Sequence, residues 1–526
     1  MTKDIFQARN CLILDLDEES LPKNSKVHYL GYWCLENLSN SFKNLEKFNI
    51  INSKARDVVY INQDIKEVHK IYNSLVSDLS NFLNKIHNKN YSENYWETIV
   101  GPWLKLFLTV VRERYNSLNF AIKKFNISEV MLANFKEENF FVYNVDDFEE
   151  KASKNKDGWN SILYSKILKI LNYNCKFIEF KIKKKNTINN SKKKNIASNL
   201  KKKFISFLTI FNLLSKNSKY VIYASGLKLH AVIKLQLYLK QFPSIFIKKE
   251  YPKKKINFEN RKKIESFFEK TEAEEYEKLV RSLISSLLPT DFLENYKTLE
   301  YISTNLKWPK DPKVIFTSTG YHSDEIFKMY AAKKMEKGSK YIVSQHGANN
   351  FTHKNSFIEL GYDRSDTFFS WGNFKKDKCV SLFNLKNIAL DNMEKTPKGE
   401  KLFFFMPKMS KSRKRLYDDY GQMIRDNISI EKILNNLDNK IKESCILKLY
   451  PNENDSKELE NKILNEIIFK KHQYIIDRTS SKKKIFKTSK LILNYSDGTS
   501  FLETISTDIP TIIFLPNLNW IDESVK

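Results

Sequence analysis

The chain is 526 residues long, 41% apolar, with 37 phenylalanines and a formal net charge of +27. That length suits two large domains, and that apolar content excludes a globally disordered chain. Only 11 of the 89 basic residues are arginine, the residue whose planar fork reads bases and phosphates, so the charge reads as lysine bias and no nucleic-acid partner is expected. Attraction to an anionic membrane surface is the partner such a charge admits.

The five cysteines (Cys11, Cys34, Cys175, Cys379, Cys445) are scattered and include no C-x-x-C pair. Neither a disulfide framework nor a zinc site is expected, and a reducing compartment fits. The first residues, MTKDIFQARN, lack the apolar core of a signal peptide, and no apolar run approaches the roughly 18 residues of a membrane span. A cytoplasmic location, peripheral to a membrane at most, follows as an expectation.

In chain order, residues 11–15 and 27–30 read as short strands. Asp15-Leu16-Asp17 after the first is a pattern that can hold a divalent metal, but it is common by chance and reads here as part of a polar turn. Residues 65–86 carry Val68, Ile71, Tyr72, Leu75, Leu79, Phe82 and Leu83 at helical spacing. Next comes an aromatic block, YSENYWETIVGPWLKLFLTVVRERY, where Gly101-Pro102 predicts a break and a second helix starting at the proline. Residues 158–171 form a further helix. Residues 181–203 are lysine-rich without a single acid and predict a solvated loop. Residues 220–225, 229–239 and 245–247 read as strand, helix and strand. A charged helical stretch spans 257–288, and the two prolines of 307–312 predict a domain linker.

The second half alternates strands and helices throughout, which argues a parallel, doubly wound sheet. Val314–Thr317 is a β-rich run, 323–336 a helix, and 341–343 a second β-rich run ending in Gln345-His346-Gly347. Strands follow at 367–371, 402–406, 446–449, 474–476, 491–494 and 511–515. Ligands of open α/β sheets bind at the carboxyl ends of the strands, and three candidate features sit there. Gly347 permits close approach to the backbone, Gln345 can donate and accept, and His346 can pass a proton or bind phosphate. Lys448, at the end of the 446–449 strand before Tyr450-Pro451, can neutralise a phosphate oxygen. Ser496-Asp497-Gly498-Thr499-Ser500 opens a helix whose free N–H groups suit a diphosphate, while Glu503 can accept ribose hydroxyls or close a capping box with Ser500. One sheet is expected to hold all three along one edge. Together they describe an enzyme binding a nucleotide-linked donor, with no metal and no cofactor required.

The aromatic block, SDEIFKMYAAKKMEKGSKYIVSQHGANNF, the Ser370-Trp371-Gly372 series, KLYPNE and SDGTSFLETISTDIPTIIF resemble a bacterial family of transferases encoded in surface-polysaccharide loci. The Gln-His-Gly segment is also similar to capsule Kdo transferases and to teichoic-acid polyol-phosphate transferases. The resemblance implies an α/β fold of GT-B type, two Rossmann-like domains facing across a cleft, with extra helices in the N-terminal half. It implies an acceptor-side domain over 1–306 and a donor-binding domain over 307–526, the latter expected to lack the usual terminal helices. It makes the chain a metal-independent glycosyltransferase acting on a nucleotide sugar and a glycan or lipid-linked glycan acceptor. His346 would then be catalytic, and Gln345, Gly347, Lys448, Ser496, Thr499, Ser500 and Glu503 would hold the donor. Transfer of a polyol phosphate from a CDP-linked donor and an inactive, nucleotide-binding scaffold are the alternatives. Two positions depart from the pattern: Ala348-Asn349 replaces a second glycine, and Tyr450, a poor acid at neutral pH, replaces a histidine before the proline.

Overall fold

A computed structural model describes residues 9–14, 22, 25–51, 58–180, 209–269, 272–348, 351–352, 360–385, 399–409, 416, 419–450, 457–495, 498–515 and 521. Among these, fourteen strands form three sheets in which every pairing is parallel. The fold is α/β, as expected, with many helices.

The first sheet contains β1 (Arg9–Ile13), β2 (Ser25–Tyr29), β3 (Glu129–Ala133) and β4 (Lys176–Phe180), in the order β2-β1-β3-β4. The second contains β5 (Tyr220–Tyr223), β6 (Val314–Thr317), β7 (Lys340–Ser344), β8 (Thr367–Ser370) and β9 (Cys379–Ser381), in sequential order. The third contains β10 (Lys401–Phe405), β11 (Cys445–Lys448), β12 (Ile475–Asp477), β13 (Ser489–Tyr495) and β14 (Thr511–Phe514), in the order β12-β11-β10-β13-β14. One sheet therefore does not carry all three candidate features: Gln345–Gly347 follows the second sheet, while Lys448 and Thr499 belong to the third. The second sheet also takes its edge strand β5 from upstream of residue 307, since Tyr220↔Val314 through Tyr223↔Thr317 are in register. Residues 245–247 are not a strand. Asn212 holds the Ile245 backbone at both its N–H (2.9 Å) and its carbonyl (2.7 Å), so those groups serve a loop.

The expected break at Pro102 does not occur. A single 33-residue helix, Glu93–Phe125, runs through it, buried on nearly every side from Tyr95 to Val111. A proline ring inside a helix crowds the carbonyls one turn back and withholds one donor. The donor withheld is the one that would meet the Thr98 carbonyl, and at the neighbouring carbonyl, Ile99, the Lys328 ammonium donates a tertiary hydrogen bond at 2.9 Å. Lys328 also pairs with Glu325 at 2.7 Å, both side chains fully buried. Trp96 and Trp103 are core residues, as their spacing predicts. Arg112 grips Asp64 (2.6 Å) and Glu67 (2.7 Å) of the preceding helix Val58–His87.

The first and third sheets are joined by a polar clasp. Glu466 accepts the Phe42 N–H at 2.8 Å, and the Lys462 ammonium donates to the carbonyls of Leu35 (3.2 Å), Glu36 (2.8 Å) and Leu38. The second sheet is tied to the long helix by Lys105–Asp363 (2.6 Å) and Arg364–Glu97 (2.7 Å). No helix among the described residues is long and apolar enough to cross a membrane.

Candidate functional site

Four adjacent strands of the second sheet end the same way. A serine closes or follows each strand, and a glycine comes one to three residues later: Ser225-Gly226, Ser318-Thr319-Gly320, Ser344-Gln345-His346-Gly347 and Ser370-Trp371-Gly372. All four serines are buried. Small side chains let the loops close over the strand ends, and the hydroxyls satisfy their polar groups. Ser318 Oγ donates to the Ser225 carbonyl at 2.7 Å and shares a hydrogen bond with Ser344 Oγ; Ser370 Oγ donates to the Gly372 carbonyl at 2.7 Å. Ala224, just before Ser225, takes the left-handed region with φ 44, and its carbonyl accepts the Ser318 N–H at 3.1 Å. This serine row was readable as a repeat in the sequence and was not among the candidates.

Within that row, Gln345 is a buried brace. Its amide nitrogen donates to the Gly347 carbonyl at 2.8 Å, its amide oxygen accepts the Trp371 N–H at 2.8 Å, and its backbone N–H reaches the Phe369 carbonyl at 2.7 Å. With every one of those groups engaged, Gln345 fixes the turn, and that turn presents His346 at the surface. A Cβ placed on Gly347 would meet nothing closer than Thr499 Oγ1, at 3.7 Å.

On the third sheet, Lys448 is buried and engaged by Asp477 Oδ1 (3.3 Å) and the Ser480 carbonyl (3.2 Å). Burial pushes the Asp477 carboxyl up, but hydrogen bonds from Ser480 and the Lys448 charge outweigh it and hold the group below its usual value. Tyr450 is largely exposed and lies near the Lys408 ammonium, 5.8 Å from its ring centre. From Asp477 the chain passes through Ser480 to the helix Lys482–Thr488, whose Lys482 ion-pairs with Glu503. The capping box between Ser500 and Glu503 is not made. Gly498 stands at the N-cap of the helix Thr499–Thr504, and the buried Glu503 carboxylate is taken by Lys482. Asp477, Ser480 and Lys482 were missed because they lie 21 to 32 residues from their partners and carry no local pattern.

The two edges meet where the Ala348 N–H donates to Thr499 Oγ1 at 3.3 Å. The structure thus brings the Gln345–Ala348 turn against the first residue of the helix that holds Ser500 and Glu503. Lys448 lies two strands from β13 in the same sheet, about 10 Å away at the usual strand spacing. Ser496, Asp497, Pro451, Asp15, Asp17 and the 181–203 run lie outside the described residues. Among the described residues no group of three or more His, Cys, Asp or Glu side chains is arranged to hold a metal ion.

Chemically, this junction offers backbone N–H groups at a helix start, hydroxyls, an imidazole at the surface, and a chain of paired charges from Lys448 to Glu503. No curated protein matches the chain. A sequence profile described as LIC12162 family transferase matches residues 10–523, which includes all three sheets and both sides of the junction. The chain belongs to the LIC12162 family of transferases.

Proposed function

We propose that the transferred group is a sugar, carried by a nucleotide-activated donor and passed to a surface-polysaccharide precursor, in a two-lobed arrangement of GT-B type. The observation that carries the reading is the junction itself: a Gln-His-Gly turn at the end of β7 seated on the N-terminal residue of Thr499–Thr504. Loss of a nucleoside diphosphate develops negative charge on its leaving oxygen, and fixed N–H dipoles and ammonium groups stabilise that charge. In this reading Thr499, Ser500 and the helix start hold the phosphates, a role that the sequence also suggests for Ser496. Lys448 and Glu503 serve the donor by exchanging their Asp477 and Lys482 partners for phosphate and ribose, and Gly347 gives the donor room. His346, at the surface of the turn, takes the proton of the acceptor hydroxyl or contacts the phosphate. The acceptor approaches from the side of residues 1–306, on the cytoplasmic face. The chemistry needs no metal, because donors of the protein take the leaving charge.

A thermal-shift panel of CMP-, CDP-, UDP-, GDP- and dTDP-linked compounds tests this. One nucleotide class should raise the melting temperature of the wild type, and Thr499→Val with Ser500→Ala should abolish the rise. A panel that shifts nothing, or a shift untouched by those substitutions, removes the donor site from this junction. His346→Ala should keep the shift and lose transfer; a CDP-polyol as sole stabiliser, with phosphate in the product, would replace the sugar by a polyol phosphate.

A further inference from the structure

The helix Leu229–Tyr238 is built inside out. Its one fully buried side chain is the polar Gln236, whereas Leu237 and Tyr238 beside it are 57% and 84% exposed. Gln236 is buried because it does a loop's work: its amide nitrogen donates to the Ser244 carbonyl at 2.9 Å and its amide oxygen accepts the Ser244 N–H. The next residue, Ile245, is held by Asn212 from the 3-10 turn Thr209–Ser215. One polar knot therefore fixes two apolar segments together with their inward residues occupied. Outward they show Leu213, Leu214 (64% exposed), Leu229, Leu237, Tyr238 and Phe242.

Folding alone gives no reason to leave such a patch in water, since burying apolar side chains of this kind stabilises a fold. Its surroundings identify what covers it. Residues 209–249, which carry the patch, contain seven lysines and not one aspartate or glutamate. Of these lysines, Lys216, Lys228, Lys234 and Lys240 are exposed on or beside the two segments. An apolar protein partner would not demand a stretch of about forty residues cleared of acids. An anionic bilayer does: apolar side chains enter the headgroup boundary while lysines meet the lipid charges and extend their stems along the apolar surface. At ten residues the helix is far too short to cross a bilayer, so it lies in the interface plane.

We propose that the face formed by Thr209–Ser215, Leu229–Tyr238 and Phe242 docks the protein on a membrane surface rich in anionic lipid. The inference stands apart from the donor site. Co-sedimentation with vesicles of phosphatidylcholine mixed with phosphatidylglycerol tests it, against vesicles of phosphatidylcholine alone. The wild type should pellet with the mixed vesicles and be released by salt. The triple variant Leu214→Ser/Leu237→Ser/Tyr238→Ser should bind at least roughly tenfold more weakly, and so should Lys228→Gln/Lys234→Gln/Lys240→Gln. All six side chains are surface groups, so both variants should melt with the wild type. Equal binding to neutral and mixed vesicles, or unchanged binding by either variant, overturns the proposal. So does a dimer in light scattering that the apolar variant dissolves, because the patch would then belong to a second copy of the chain.

Discussion

Glu325 and Lys328 are one turn apart on the helix Glu325–Met335 and wholly shut off from water, which makes their joint charge state a measurable property of the fold. Burial pushes the Glu325 carboxyl up to about 7; the Lys328 ammonium opposes the rise and the nearby Asp291 adds to it. Asp291, itself raised by burial, is held by Tyr251 at 2.7 Å and Asn295 at 3.0 Å. A carboxyl whose pKa is higher in the folded than in the unfolded state stabilises most below its unfolded value, near 4.5. It loses that contribution as pH rises to about 7, and nothing further changes above. At about 1.4 kcal/mol per pH unit, the interval from 4.5 to about 7 is worth about 3 kcal/mol. For a chain of this length melting as one unit, that corresponds to about 3 °C. The double variant Glu325→Gln/Lys328→Met removes both charges. Its denaturation midpoint, followed from pH 5 to 8, should lose that part of the decline and meet or exceed the wild type at the alkaline end, as replacements of buried ion pairs often do. Parallel curves for the two proteins across the whole range would refute the argument.

Two further outcomes follow from the site and the clasp. Gly347→Ala places its new methyl 3.7 Å from Thr499 Oγ1, an ordinary contact, so stability should change by less than about 0.5 kcal/mol. Donor-induced stabilisation in the thermal-shift panel should nonetheless fall, because the methyl stands where the donor approaches; an unchanged ligand shift would place the donor elsewhere. Lys462→Met removes a charged donor from three carbonyls and should cost about 2 kcal/mol, read as a lower urea midpoint and as faster hydrogen exchange in residues 32–47. Unaltered exchange there would mean that the first and third sheets are held by their apolar contacts alone.

The features legible in the sequence were those written in neighbouring residues. A β-rich run followed by Gln-His-Gly marks the end of β7, and a Gly-Thr-Ser step after another run marks the helix Thr499–Thr504. Sheet membership was not legible, because strand pairing is decided by contacts between distant segments. The alternation of residues 314–515 fits one sheet as well as two, and nothing local to 220–223 shows that its partner begins at Val314. The same reason explains Pro102 and Glu503. Local rules end a helix at the proline and cap another with the glutamate, but the helix through Pro102 is buried among distant segments and Lys482 arrives from elsewhere in the chain to take Glu503. The serine row was the opposite case, since its repeat was local and went unread.

The pairing of β5 with β6 also bears on the order of assembly. Ninety residues separate the two strands, and closing a flexible loop of that length costs about 2 kcal/mol more than closing one of ten. The intervening chain is not left flexible: its helices Phe258–Phe268 and Glu275–Leu287 pack on Val58–His87 and Glu93–Phe125. Early docking of that helical block shortens the effective tether and delivers Tyr220–Tyr223 to its partner. On this argument the edge strand of the sheet that bears Gln-His-Gly is expected to pair late in folding. Substitutions that loosen the helical block should slow recovery of the site after denaturation even where the final structure is intact.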